Sequence, residues 1–183
     1  MTTYAMSVPA VRALNTNLHR VALSMFMFVV AAHWAEHLAQ AVQIYVLGMP
    51  ASQARGVLGM PFPWLVSSEW MHYGYALAML IGLVLLLPGF TGRACTWWKV
   101  ALYIQVWHHF EHLLLLIQAN TGHNLAGRAV PTSIAQLFLP RVELHLFYNA
   151  IVFVPMVVAM VLHRDPSPEE RAESRCGCAL LRS

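Results

Sequence analysis

Four stretches of the 183-residue chain are runs of Leu, Val, Ala and Met with few charges: roughly 21 to 46, 66 to 88, 97 to 118 and 141 to 162. Each reaches the length, about 20 apolar residues, that a helix needs to cross the hydrocarbon core of a bilayer. Lipid satisfies no backbone hydrogen bonds, so a spanning segment is either a helix or part of a closed barrel. The pattern therefore predicts an all-α integral membrane protein, a four-transmembrane-helix bundle. Residues 1 to 164 make one domain. Residues 165 to 183, rich in Pro, Glu, Ser and Arg, read as a flexible cytoplasmic tail.

Composition agrees with this class. The chain is 58% apolar and only 10% charged, with a mean hydropathy of +0.56, too apolar for a soluble domain. Basic residues give the expected orientation. Arg12, Arg20, Arg93, Lys99, Arg164, Arg171, Arg175 and Arg182 fall on one side, and Arg55, Arg128 and Arg141 on the other. The positive-inside bias places both termini in the cytoplasm, with loops 47 to 65 and 119 to 140 outside. A prokaryotic plasma membrane is the expected location, with the first span acting as its own signal. The pI near 9.0 reflects these inner-face arginines, and nothing marks nucleic-acid binding.

Polar residues inside the apolar stretches carry the candidate chemistry. Between residues 1 and 164 the only acidic side chains are Glu36, Glu69, Glu111 and Glu143, each within three residues of a histidine. Burying four such groups at mid-bilayer would cost roughly 10 kcal/mol, so a compensating partner is required.

Their spacing points to a repeat. His33-Trp34-Ala35-Glu36-His37 recurs 75 residues later as His108-His109-Phe110-Glu111-His112, and Gln43 falls on Gln118 at the same offset. Each string is followed by a Pro-containing loop and a second acidic motif, Glu69-Trp70-Met71-His72 or Glu143-Leu144-His145. Two tandem helical hairpins are expected, with equivalent residues set around an axis along the membrane normal. The first loop also repeats Val-Leu-Gly-Met-Pro at 46 to 50 and 57 to 61, which the sequence does not explain.

Helical geometry tests whether the residues can meet. In H-x-x-E-H the polar positions are i, i+3 and i+4, one helix face, and Glu69 and His72 are i and i+3. Glu143 and His145 are two apart, about 200 degrees around a helix, so ideal geometry cannot point both inward. All four helices bring these residues to one layer in the outer half of the membrane, His37 about 14 Å and His112 about 9 Å from their helix ends.

Four carboxylates and several imidazoles in one layer of a four-helix bundle form the constellation used for dinuclear iron or manganese. The expected ligands are His33, Glu36, His37, Glu69, His72, His108, Glu111, His112, Glu143 and His145. His109, Asn149, Gln43, Gln118 and Arg141 are expected to support them by hydrogen bonds, as metal ligands require. Arg141 has an alternative partner in Glu143, two residues on, which would remove that carboxylate from the site. Four Glu balance two divalent ions, so the expected cofactor is two transition-metal ions per chain, with iron preferred and zinc or manganese next. The ten methionines read as packing residues rather than copper ligands.

H-x-x-E-H resembles the inverzincin string of zinc peptidases, in which two His bind the metal and Glu is the base. That resemblance covers five residues, occurs twice and lies in predicted spans, so peptidase activity is not expected.

The functional expectation is a membrane oxidoreductase of oxygenase or oxidase type. Its substrate would be a membrane lipid or other lipid-soluble molecule, lined by Trp34, Trp70 or Trp107, and an electron donor would serve as its partner. Alternatives are a metal-dependent lipid hydrolase, a metal carrier or sensor, and a b-type haem protein. The sequence does not give an oligomeric state. His19, His123 and His163, near helix ends or in loops, are expected to be solvated. Cys176 and Cys178 are expected to be tail thiols on a side where disulfides are uncommon. A short interfacial helix is expected after Pro131-Thr132-Ser133.

Overall fold

The computed structural model describes residues 8 to 174 and residue 176. It is all-helical, 74% helix, with no strand among the described residues. Four helices are long and apolar enough to cross a membrane. We number the α-helices α1 (Pro9–Leu14), α2 (His19–Tyr45), α3 (Trp64–Ser67), α4 (Glu69–Leu86), α5 (Gly92–Thr121), α6 (Arg141–Arg164) and α7 (Pro168–Glu173). The four long helices cover the four apolar stretches. Helix α5 starts about one turn earlier than the hydropathy alone placed it, because its first turn is amphipathic rather than apolar.

Local signals set the ends. Gly48 (φ +66°) follows α2, where the Leu47 N–H reaches the Val42 carbonyl at 3.0 Å, and Gly122 (φ +71°) follows α5. A glycine accepts this left-handed conformation without the Cβ clash that stops other residues. Helix α6 begins directly after Pro140 and carries Pro155 in its interior. The short helix expected after Pro131-Thr132-Ser133 is a single 3-10 turn, Ala135–Leu137, and another 3-10 turn lies at Leu125–Gly127.

The described chain packs as two compact units, each receiving part of every long helix. One comprises Met1–Val30, Met79–Ile104 and Ile151–Ser183. Its core is mostly apolar, with Leu23, Leu83, Phe90, Trp98, Met156 and Ala159 buried. The fully buried Trp98 indole N–H donates to the Leu83 carbonyl at 2.9 Å, so no polar cost remains there. Within this unit the segment expected to be a solvated tail includes α7. Ser167 and Glu170 form a reciprocal capping box on it. The Glu170 carboxylate also takes the Arg93 main-chain N–H at 2.8 Å and its guanidinium at 3.0 and 3.1 Å.

The other unit comprises Ala31–Ala78 and Gln105–Ala150. Its interior is polar. Ten of the fourteen buried polar residues described belong to it: His37, Gln40, His72, Gln105, Glu111, His112, Gln118, Thr132, Ser133 and His145. The outward faces are the reverse. Large apolar side chains are exposed on both units: Leu38 and Phe110 on this one, and Phe28, Val84, Tyr103 and Val154 on the other.

Candidate metal centre

The polar unit gathers six imidazoles. Helix α2 supplies His33 and His37, α4 supplies His72, α5 supplies His108 and His112, and α6 supplies His145. The two i, i+4 pairs meet at Nε2: His33 to His37 at 3.1 Å and His108 to His112 at 3.2 Å. His145 lies among the others, its ring centre 5.1 Å from that of His37, 5.4 Å from His112, 5.9 Å from His72 and 6.0 Å from His108. His72 stacks parallel to His112 at 6.0 Å.

Hydrogen bonds fix which nitrogen of several rings faces the cluster. His72 Nδ1 lies 2.9 Å from the Ser68 carbonyl, and His145 Nδ1 lies 2.7 Å from the Arg141 carbonyl. A carbonyl only accepts, so Nδ1 carries the proton and Nε2 keeps its lone pair, the state a metal ligand needs. His37 Nδ1 meets Gln40 Oε1 at 2.7 Å in the same sense. His145 Nε2 is buried and without a hydrogen-bond partner, which is costly unless something else occupies it.

Aromatic rings back the two pairs. Tyr75 stacks on His33 at 3.6 Å and 17°, and Tyr148 packs on His108 at 4.4 Å. The Tyr148 hydroxyl takes the Trp107 indole N–H at 2.8 Å. The Tyr75 hydroxyl is buried with no partner. Sequence reasoning missed both tyrosines, although their separation of 73 residues equals that of His72 and His145.

The four glutamates are held elsewhere. Glu36 accepts the Val57 N–H at 2.7 Å and the Leu58 N–H at 2.9 Å, fastening the first loop. Glu111 accepts the Ala135 N–H at 2.8 Å, fastening the second. Glu69 forms a two-pronged pair with Arg141 at 2.6 and 2.9 Å. Glu143 bonds the Tyr45 hydroxyl. The expected alternative, Arg141 with Glu143, does not form because residues two apart on a helix face away from one another, whereas Glu69 stands opposite.

Of the supporting residues, Gln43 and Gln118 bind loop backbone: Gln43 pairs with both amide groups of Gly56, and Gln118 takes the Leu125 and Thr132 N–H groups. Asn149 donates to the His145 carbonyl at 2.7 Å, and His109 packs on Tyr73. Trp70 is exposed, and Trp34 is half-buried beside the first motif.

Beside the rings lies a cavity of about 250 Å³ lined by His33, Glu36, His37, His72 and Tyr75 together with apolar Leu58, Leu65, Val66 and Met71. A second, of about 270 Å³, is more polar and is lined by His37, Gln40, Arg55, His72, Arg141 and His145.

Two histidines expected to be solvated are buried instead. His19 is 0% exposed and His163 6%, both in the apolar unit, while His123 is exposed. Cys176 is likewise buried and disulfide-bonded rather than a solvated thiol. Cys178 lies outside the described residues. Helix ends carry no sequence mark of what folds over them, which is why burial went unread. No protein-family model, curated protein or solved structure matches this chain.

Proposed function

We propose that the chain is a multi-pass membrane metalloprotein whose centre is built from six imidazoles. In this reading two ions are each held by one Nε2 pair, His33 with His37 and His108 with His112, and completed by His72 or His145. The observation that carries it is the pairing itself. Two nitrogens bound to one ion at about 2.0 to 2.1 Å lie roughly 3.0 to 3.4 Å apart, the separation found in both pairs. Neither imidazole trio has its ligating atoms all within 4.8 Å of one another, so the third ring of each set would swing inward on binding.

The four long apolar helices and the exposed apolar side chains support membrane insertion, and the polar interior of one unit suits it, since intramembrane ionisable groups face inward and mark function. Arginine distribution supports cytoplasmic termini. The matched pairs support a tandem duplication. His33, His37, His72 and Tyr75 stand to the first loop as His108, His112, His145 and Tyr148 stand to the second, with Glu36 and Glu111 each fastening a loop.

The carboxylates' engagement shifts the ion. Manganese favours oxygen ligands, whereas imidazole suits iron, copper and zinc. Iron stays first, zinc next, and copper joins them. The apolar cavity beside His33 and Tyr75 suits a lipid-soluble substrate, and the activity proposed is oxidation or oxygenation of that substrate with an electron donor. Close ring-to-ring packing of the six imidazoles leaves little space for a haem macrocycle between them.

The test is dioxygen uptake by iron- or copper-loaded protein in proteoliposomes, with a quinol analogue as donor. Uptake by wild type that disappears in His145→Ala supports the reading. A folded, metal-loaded protein whose absorbance is unchanged by reduction and reoxidation contradicts it and favours hydrolysis.

A further inference from the structure

The apolar unit holds a second polar cluster. Among the described residues, one trio has its ligating atoms all within 4.8 Å of one another: His19, His163 and Cys176. His19 opens α2, His163 lies in the last turn of α6, and Cys176 follows α7. His19 and Cys176 are fully buried and His163 nearly so.

The cluster has the features of a built site. His19 Nδ1 lies 3.2 Å from the Leu14 carbonyl, so Nδ1 carries the proton and Nε2 presents its lone pair. That Nε2 is buried with no hydrogen-bond partner. Carbonyl bonding through the far nitrogen is how proteins orient metal-binding histidines. Phe90 walls the cluster, its ring 5.3 Å from His19 and 4.9 Å from His163, and is itself stacked on buried Trp98 at 4.3 Å. Gly89 makes room, because a Cβ there would collide with the His19 ring. The Arg93–Glu170 pair holds α7 in place, and α7 leads to Cys176.

We propose that these three residues form a thiol-gated zinc site. The Cys176 sulfur is engaged in a disulfide, the closed state. A thiol reductant opens it: two reductant thiols supply two electrons and two protons, become a disulfide themselves, and leave Cys176 and its disulfide partner each as a thiol. That thiol loses its proton as the ion binds, and the ion takes one thiolate and two imidazoles, with a fourth position for water. This ligand set differs from the imidazole-only centre, and the proposal does not depend on that centre being occupied.

Cobalt(II) distinguishes the two, because only a thiolate ligand gives a near-ultraviolet sulfur-to-cobalt charge-transfer band. Full-length protein, stripped of metal and carrying Cys95→Ala, is titrated with cobalt before and after reduction with a phosphine. The expected result is a band that appears only after reduction, is displaced by one equivalent of zinc, and is lost in Cys176→Ser and in His19→Gln. The band should persist in His72→Ala plus His145→Ala. No band in reduced, folded protein overturns the proposal, as does a band unchanged by both His19→Gln and His163→Gln. If His19→Gln does not fold, His163→Gln and Cys176→Ser decide.

Discussion

Gln43 and Gln118, 75 residues apart, do the same job: each clasps the main-chain N–H and C=O of one loop residue, Gly56 and Thr132 respectively. Seven residues before each stands a glutamate that accepts N–H groups from the same loop. The pair Glu…Gln thus acts as a loop clamp on the H-x-x-E-H helix, a task the imidazoles do not share.

The clamp predicts a split between stability and metal content. Glu36→Ala leaves the Val57 and Leu58 N–H groups without their acceptor, a loss of about 1 to 3 kcal/mol. Glu36→Gln keeps an acceptor oxygen and should lose less. Thermal unfolding in detergent checks the order, wild type above Glu36→Gln above Glu36→Ala.

Gly56 sits at φ +74° with its α-carbon facing Glu36, where a Cβ would strike the carboxylate. Gly56→Ala carries about 1 to 2 kcal/mol of backbone strain and also displaces the clamp. Limited proteolysis should show cleavage in the first loop at lower protease concentration than in wild type.

Arg141 and Glu69 form the two-pronged pair across 72 residues of sequence, with side chains 38% and 12% exposed. Arg141→Ala strands a largely buried carboxylate and should cost more than Arg141→Ala with Glu69→Ala together. A double-mutant cycle by thermal unfolding is expected to give a coupling of about 1 to 2 kcal/mol. Simple additivity would show that the pair contributes only surface charge.

The tail helix gives a pH dependence. The Arg93 side chain, then hydrogen bonds from the Ser167 and Arg93 N–H groups, lower the Glu170 carboxyl from 4.5 to about 2. A carboxyl lowered on folding adds stability that is present above its unfolded value and lost as pH falls through the folded one. Docking of α7 should therefore be pH-independent above about 5 and weaken progressively toward pH 2. Hydrogen exchange of α7 amides measures it. In Arg93→Ala the folded value rises toward the unfolded one, so the acid-induced loss should be smaller and complete at higher pH.

Much of this arrangement was legible along the chain. The four long apolar helices are written in hydropathy, and the two H-x-x-E-H strings place their imidazole pairs on one face by spacing alone. What the glutamates do was not legible, because their partners are main-chain N–H groups of loops, which every residue but proline carries. The Arg141–Glu69 pair and the burial of His19 and His163 depend on which helix stands opposite, and periodicity within one helix says nothing of that. Tyr75 and Tyr148 were findable, since they extend the internal offset already shared by His72 and His145.

The most direct test of the imidazole centre is elemental analysis of protein purified in detergent without chelator or reductant, followed by two paired variants. The account predicts about two transition-metal ions per chain in wild type, retained in Glu36→Gln plus Glu111→Gln and lost in His37→Ala plus His112→Ala. Metal lost with the glutamates and kept without the histidines would contradict it, as would a folded wild type that binds none.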